Sequence, residues 1–319
     1  MLLRKTIEEK ILENFAEYSD LFVEVQSSFL TGLYKRYQSL ESANLVLYYA
    51  KHVHQDILRQ KDYDLNFNLS LEKFWENHSL FKPQKNSLIN VANETCLSKE
   101  TARRKILQLI KQKVLSKKNK NTGWLPNEQY KKNYSLFILE EIENFSKLLN
   151  YVCKKIDLPI SSEELKNELK SQFNFYWFHF LGAQLEYLRL WTIQLKDLEL
   201  TLIGLQVVRI FTSKIKEKNL SHEKIFNEPS VIKDFKSASI SATSISEVTG
   251  IPRATCIRKL GNLVKLKMIE QDFISKRYYL IPSSISNDVI TKEVTQKAVK
   301  AFCEFYFICI KAISTKISN

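Results

Sequence analysis

Residues 94–115 read ETCLSKETARRKILQLIKQKVL, and residues 248–269 read VTGIPRATCIRKLGNLVKLKMI. At a shift of 154 these stretches are identical at seven of 22 positions, where similar composition alone would give about one or two matches. The matched pairs are Thr95 and Thr249, Thr101 and Thr255, Arg104 and Arg258, Lys105 and Lys259, Leu109 and Leu263, Lys111 and Lys265, and Lys113 and Lys267. The chain therefore carries a duplicated segment that is rich in basic residues.

The second copy predicts two short helices joined by a tight turn. The first of them ends at Gly250, because glycine readily adopts the left-handed conformation of such a turn. Pro252 can open the next helix in its first turn, where the amide proton that proline lacks would be unpaired anyway. At helical spacing one side of this helix carries Cys256, Leu260, Leu263 and Lys267, and the opposite side carries Ala254, Ile257, Arg258 and Gly261. The first side can pack and the second can enter a DNA major groove.

A β-hairpin is predicted directly after this second helix. Residues 268–272 and 277–282 are short strand-like runs, and residues 273–276 separate them. Lys276 and Arg277 are expected at the tip of this wing.

The first copy predicts the same arrangement with a less ideal turn. Ser98 is the expected N-cap of its second helix, and Cys96 stands where the second copy has glycine. Glu100, Arg103, Arg104 and Leu107 occupy its groove-facing positions, and its hairpin, residues 116–126, is strongly basic. The first copy is therefore expected to bind phosphates more strongly than the second.

The second copy resembles a known DNA-binding domain. Residues 245–260, followed by Leu263, Met268, Ile269 and residues 277–280, resemble the DNA-binding domain of IclR-family repressors. The layout, with an apolar helix at 200–210 upstream and another helix downstream, loosely resembles MarR-family regulators. The resemblance implies a winged helix-turn-helix and gives recognition-helix roles to Arg253, Thr255, Ile257 and Arg258.

The chain departs from these families in two ways. Both halves insert roughly 20 residues between the upstream helix and the helix-turn-helix, and no IclR-type effector domain follows. The resemblance therefore implies nothing about the type of effector.

The duplication also predicts the domain organisation. Each copy follows a long helical pattern and precedes another amphipathic stretch, while only six glycines and six prolines leave few turns. We expect a mainly α protein with two tandem winged helix-turn-helix domains, flanked by long helices and packed as an internal pseudo-dimer. The domains would be residues 1–158, with the helix-turn-helix at about 87–127, and residues 159–319, with it at about 240–282.

Charge favours DNA as the partner. The formal net charge is +13; residues 86–132 hold eleven basic and three acidic residues, and residues 239–282 hold seven and three. Such concentration suits phosphate neutralisation and counterion release. The residues expected to contact double-stranded DNA are Lys99, Thr101, Arg103, Arg104, Lys117, Lys118 and Lys120 in the first copy, and Arg253, Thr255, Ile257, Arg258, Lys276 and Arg277 in the second.

Other classes of protein are disfavoured. The sequence has no nucleotide-binding glycine loop, no zinc-protease or serine-hydrolase motif and no metal-ligand spacing. We therefore expect that the protein is not an enzyme and that it binds no metal and no cofactor. The apolar stretches 173–185 and 301–310 are too short to span a bilayer, and charges interrupt the N-terminal apolar residues. We expect a cytoplasmic, nucleoid-associated protein without a membrane partner.

We expect a sequence-specific regulator of transcription that reads an imperfect palindrome in double-stranded DNA with its two winged helices. Two alternative functions remain open at this point. A plasmid-type replication initiator also carries tandem winged helices, and a chromosome-associated scaffold would use them to bind proteins; transcription or replication proteins are possible partners. The aromatic residues within 173–180 could line a pocket for a small-molecule effector, although core packing is the favoured interpretation.

Overall fold

The computed structural model describes residues 4–317 apart from residues 82, 84–85, 120, 218–235 and 281–288. In chain order its helices are α1 Arg4–Glu13, α2 Phe15–Tyr37, α3 Leu40–Tyr63, α4 Phe74–Ser79, α5 Leu88–Thr95, α6 Lys99–Lys111, α7 Glu128–Lys155, α8 Ser162–Ser171, α9 Phe173–Leu195, α10 Leu198–Glu217, α11 Ala242–Thr249, α12 Arg253–Lys265 and α13 Val289–Ile317. The strands are β1 Leu115–Lys118 and β2 Asn121–Trp124, paired antiparallel, and β3 Ile269–Gln271 and β4 Tyr278–Leu280, paired likewise. The part of the chain that the structure describes is thus mainly helical, as the composition predicts, and contains two small sheets. None of the described helices is both long and apolar enough to cross a membrane.

The chain groups into two compact units that interleave in sequence. The first unit is Met1–Ile7, Glu41–Leu190 and Lys300–Asn319, and the second is Glu8–Leu40 and Trp191–Val299. This grouping differs from the expected halves 1–158 and 159–319. The physical reason is that α8 packs on α7, and that Phe305 of α13 stacks on Phe145 of α7 with ring centroids 4.8 Å apart. The pseudo-dimer stays a prediction.

An aromatic core fills the first unit. Of the aromatic residues within 173–180, four are buried: Phe173, Tyr176, Trp177 and Phe180. Trp177 and Phe180 have ring centroids 4.9 Å apart, and Phe180 also meets Phe145 at 5.6 Å. These contacts support the packing interpretation of the series.

The second unit is built around α10. This helix packs against α2, α12 and β4. Inside the packed surface the Gln206 amide nitrogen donates to the Ser27 hydroxyl at 2.9 Å, and at the edge Lys216 pairs with Asp20 at 2.8 Å. The hairpin β3–β4 and the helices α11 and α12 are therefore anchored on one long helix.

Candidate nucleic-acid interface

The duplicated segments fold in the same way. We define the first module as residues 87–124 and the second module as residues 241–280, each consisting of two helices and a hairpin. Ser87 and Ser241 begin the first helix of each module, because each hydroxyl oxygen accepts a hydrogen bond from the backbone amide three residues later. Cys96 and Gly250 end these helices with φ angles of 52° and 77°, in the left-handed region. The turn predicted at Gly250 and its less ideal counterpart at Cys96 are both confirmed.

The matched residues Lys113 and Lys267 share a backbone conformation. Both follow the second helix of a module with left-handed φ angles, 58° and 57°. In each module the next backbone amide donates to the carbonyl oxygen of the matched leucine, Leu109 or Leu263, at 3.0 Å. The duplication therefore preserves the turn that leads from the helix into the hairpin.

The matched residues Lys105 and Lys259 are internal anchors. Lys259 binds Asp197 at 2.5 Å and Glu199 at 2.8 Å, and only 6% of its side chain is exposed. Lys105 pairs with Glu41 at 3.4 Å. Glu41 and Glu199 lie in the first turns of α3 and α10. Lys105 therefore connects α6 to α3, and Lys259 connects α12 to α10. In both modules, part of the basic charge therefore forms ion pairs within the protein.

Helix α6 presents a basic face to solvent. Ala102, Ile106 and Leu109 are buried, whereas Lys99, Arg103 and Arg104 are exposed. Arg103 donates two hydrogen bonds to Glu100, at 3.0 and 2.8 Å, and these bonds lower the pKa of Glu100. Arg103, a predicted DNA-binding residue, is thus hydrogen-bonded to a glutamate of its own helix.

Thr101 belongs to the cap of α6. The Ser98 hydroxyl oxygen accepts a hydrogen bond from the Thr101 amide at 3.1 Å, and the Ser98 hydroxyl donates to the Thr101 hydroxyl at 2.9 Å. Ser98 is the N-cap, as predicted. The hydroxyl of Thr101 already has a partner, and its expected role at DNA stays untested.

Helix α12 has the predicted two faces with one difference. Cys256, Leu260 and Leu263 are buried, and Ile257 and Arg258 are exposed. Lys267 is also exposed, because it lies beyond the end of the helix in a left-handed turn.

Pro252 precedes α12 instead of opening it. Its ψ of 135° is extended, so it is the N-cap and the helix begins at Arg253. The Arg253 Nε donates to the Thr243 hydroxyl at 3.0 Å, which joins the two helices of the second module. Thr255 is half-buried on the same helix.

The first hairpin is basic and closely packed at its base. Lys117 and Lys118 of β1 are exposed, Asn119 adopts a φ of 57°, and Lys120 lies outside the described residues. A Cβ at Gly123 would come within 2.8 Å of the Pro83 Cα, so this position of β2 requires glycine.

In the second hairpin the Arg277 side chain does not lie at the tip, where it was expected. Its Nη2 and Nε donate to the Ser239 carbonyl oxygen at 2.7 and 3.2 Å, so the guanidinium lies back against the segment before α11. Lys276 is at the tip, with its Nζ 4.3 Å from the centroid of the Phe273 ring. Phe273 and Ile274, to which the sequence pattern assigned no role, are almost fully exposed there.

Comparison of the chain with protein-family models, with curated proteins and with solved structures finds no match.

Proposed function

We propose that the two modules are winged helix-turn-helix domains through which the chain binds double-stranded DNA as a sequence-specific regulator of transcription. The observation that carries this proposal is the pair of matched arginines, Arg104 and Arg258, which are both exposed on an otherwise anchored second helix. Opposite each arginine, α6 and α12 bury an apolar side. A helix held in this way fits the width of a major groove.

The chemistry of the exposed residues suits two kinds of contact. Arg104 and Arg258 can pair with the O6 and N7 atoms of guanine, and each such pair contributes about 1–3 kcal/mol of discrimination between bases. Lys117 and Lys118 can neutralise phosphates without reading sequence.

The two modules would read different half-sites. Arg103 of α6 corresponds to Ile257 of α12, and Glu100 corresponds to Ala254. Apolar side chains at a groove favour thymine methyl groups, whereas charged ones favour polar base edges. We therefore propose an imperfect palindrome whose half-sites lie about one helical turn apart, as in a pseudo-dimer.

Selection of duplexes from a random pool by the full chain tests the proposal. Arg258→Ala should relax the selected sequence in one half-site, whereas Lys118→Ala should weaken binding to all duplexes and lower the salt slope by about one. A chain that retains no duplex in dilute buffer contradicts the proposal. Occupancy in cells distinguishes the classes of function: scattered promoters support regulation, iterated origin sites indicate replication initiation, and no enrichment indicates a protein scaffold.

A further inference from the structure

The tip of the hairpin β3–β4 carries two adjacent apolar side chains in solvent. Phe273 is 85% exposed and Ile274 is 90% exposed. No other large apolar residue in the described ranges is as exposed except Tyr63 at 87%. Burying such a pair against another surface lowers the free energy, because apolar side chains are removed from water.

The tip is held in a defined conformation. The Asp272 Oδ1 accepts hydrogen bonds from the amides of Ile274 at 3.1 Å and Ser275 at 2.7 Å. The Asp272 amide donates to the Arg277 carbonyl oxygen at 2.8 Å, and the Asp272 carbonyl oxygen accepts from the Lys276 amide at 3.0 Å. The carboxylate is therefore turned into its own loop, and the exposed pair is presented without a large loss of conformational freedom on binding.

One cation lies directly beside the apolar pair. Lys276 lies over the Phe273 ring, whereas the Arg277 guanidinium is turned back to Ser239. The corresponding hairpin of the first module is polar where it is described, with Lys117, Lys118 and Asn119 exposed. The two wings thus differ in chemistry: one offers charge alone, and the other offers apolar surface beside charge.

We propose that Phe273 and Ile274 form a wedge that enters the minor groove beside the second half-site and inserts at a base step, bending the duplex. This inference rests on the proposed function. An apolar partner surface on a protein would not need the adjacent cation Lys276, whereas a base step flanked by phosphates matches both the apolar and the cationic side chains. Because the first wing has no such pair among its described residues, the bend would lie on one side of the site only.

The insertion step should favour flexible sequence. Pyrimidine–purine steps such as TA unstack at the lowest cost, so one is expected near the second half-site at a position that α12 does not reach. This preference would arise from deformation of the duplex and not from hydrogen bonds to bases.

The test uses the full chain and a duplex that it has selected from a random pool, with 2-aminopurine placed at successive steps beside the second half-site. Wild-type chain should raise the 2-aminopurine fluorescence at one step and bend the duplex. The double variant Phe273→Ser/Ile274→Ser should lose both signals and bind about tenfold more weakly, while its footprint on the half-sites is unchanged.

Two variants provide controls. Leu266→Ser removes an exposed apolar side chain of the same module away from the tip and should change neither signal. Lys276→Gln should lower the salt slope by about one and keep the fluorescence change.

The outcomes separate the two proposals. If the double variant binds and bends the selected duplex as the wild type does, the wedge is wrong and the proposed function stands. If the wild-type chain selects no duplex, both are wrong. If the tip residues instead mediate self-association, seen as a smaller sedimenting species for the double variant with unchanged bending, the tip is a protein contact and the wedge is overturned.

Discussion

Arg103 shows how a single residue that we propose to contact DNA can also be restrained by its own helix. Its guanidinium is exposed on α6, yet its Nε and Nη2 both donate hydrogen bonds to Glu100. Ion pairs this exposed are weak, because water screens both charges. DNA phosphate can therefore compete with Glu100 for this arginine.

Glu100→Gln should strengthen binding to duplexes of any sequence, because it removes a negative charge and releases Arg103. The expected result is a salt slope that is steeper by about one, measured from dissociation constants at several salt concentrations. Glu94→Gln, which removes an exposed carboxylate from α5, is the control for net charge alone. Identical curves for the two variants would contradict a specific role for Arg103.

Cys96 adopts a left-handed conformation that glycine tolerates better. Cys96→Gly should raise the free energy of unfolding by about 1 kcal/mol, because a side chain in this region strains the backbone. At the matching turn of the second module, Gly250→Ala should lower the free energy of unfolding by a similar amount. A Cβ there would meet the flexible Lys35 side chain, with the Cγ at 3.6 Å and the Cε at 4.0 Å, which are ordinary contacts, so the effect would come from φ. Urea unfolding measures both, and equal stabilities would contradict this assignment of strain.

At the level of elements, one lysine joins α12 to α10. Lys259→Met should destabilise the protein by about 3 kcal/mol, because it leaves Asp197 and Glu199 close together without a cation. The matched variant Lys105→Met should cost less, since the Lys105–Glu41 ion pair is longer, at 3.4 Å. Thermal or urea unfolding of the full chain provides the comparison.

Neutralising the carboxylates distinguishes charge from packing. The triple variant Lys259→Met, Asp197→Asn, Glu199→Gln should recover much of the lost stability, because no unpaired charge remains. If it were less stable than Lys259→Met, the lysine would act mainly through its packing.

Across the whole molecule, two buried histidines link stability to pH. The His54 Nδ1 lies 3.0 Å from the Asn174 Oδ1, and the Asn174 amide nitrogen donates to the Leu69 carbonyl. The His78 Nε2 lies 2.8 Å from the Trp124 carbonyl oxygen. Burial lowers the pKa of His54 to about 3 and that of His78 to about 4, so both are neutral in the folded protein.

Stability should therefore fall as pH drops below about 6.5, where these histidines take up protons only in the unfolded chain. The stabilising contribution is complete above pH 6.5 and is lost progressively down to the folded pKa values. Between pH 7 and pH 5 the expected loss is about 2 kcal/mol for each histidine, measured by urea unfolding. His78→Gln removes one titrating group and should reduce the total loss by about 2 kcal/mol. A stability that stays flat over this range would contradict two buried neutral rings.

Much of each module could be predicted from sequence. The helix faces of α6 and α12, the cap at Ser98 and the turn at Gly250 depend on residues within about four positions of each other, which a local pattern contains. Pro252 was misplaced by one residue, because the pattern allows proline at either the N-cap or the first turn.

The sequence by itself determined a helical chain with two copies of a basic helix pair and hairpin, since amphipathic spacing and capping are short-range effects. Only the tertiary structure decided which of the repeated cations face solvent: Lys105 and Lys259 bind carboxylates at least 60 positions away, and Arg277 turns back to Ser239. It also decided the grouping of segments into compact units and left Phe273 and Ile274 uncovered. Contacts between distant parts of the chain depend on how whole elements pack, and no local pattern specifies that packing.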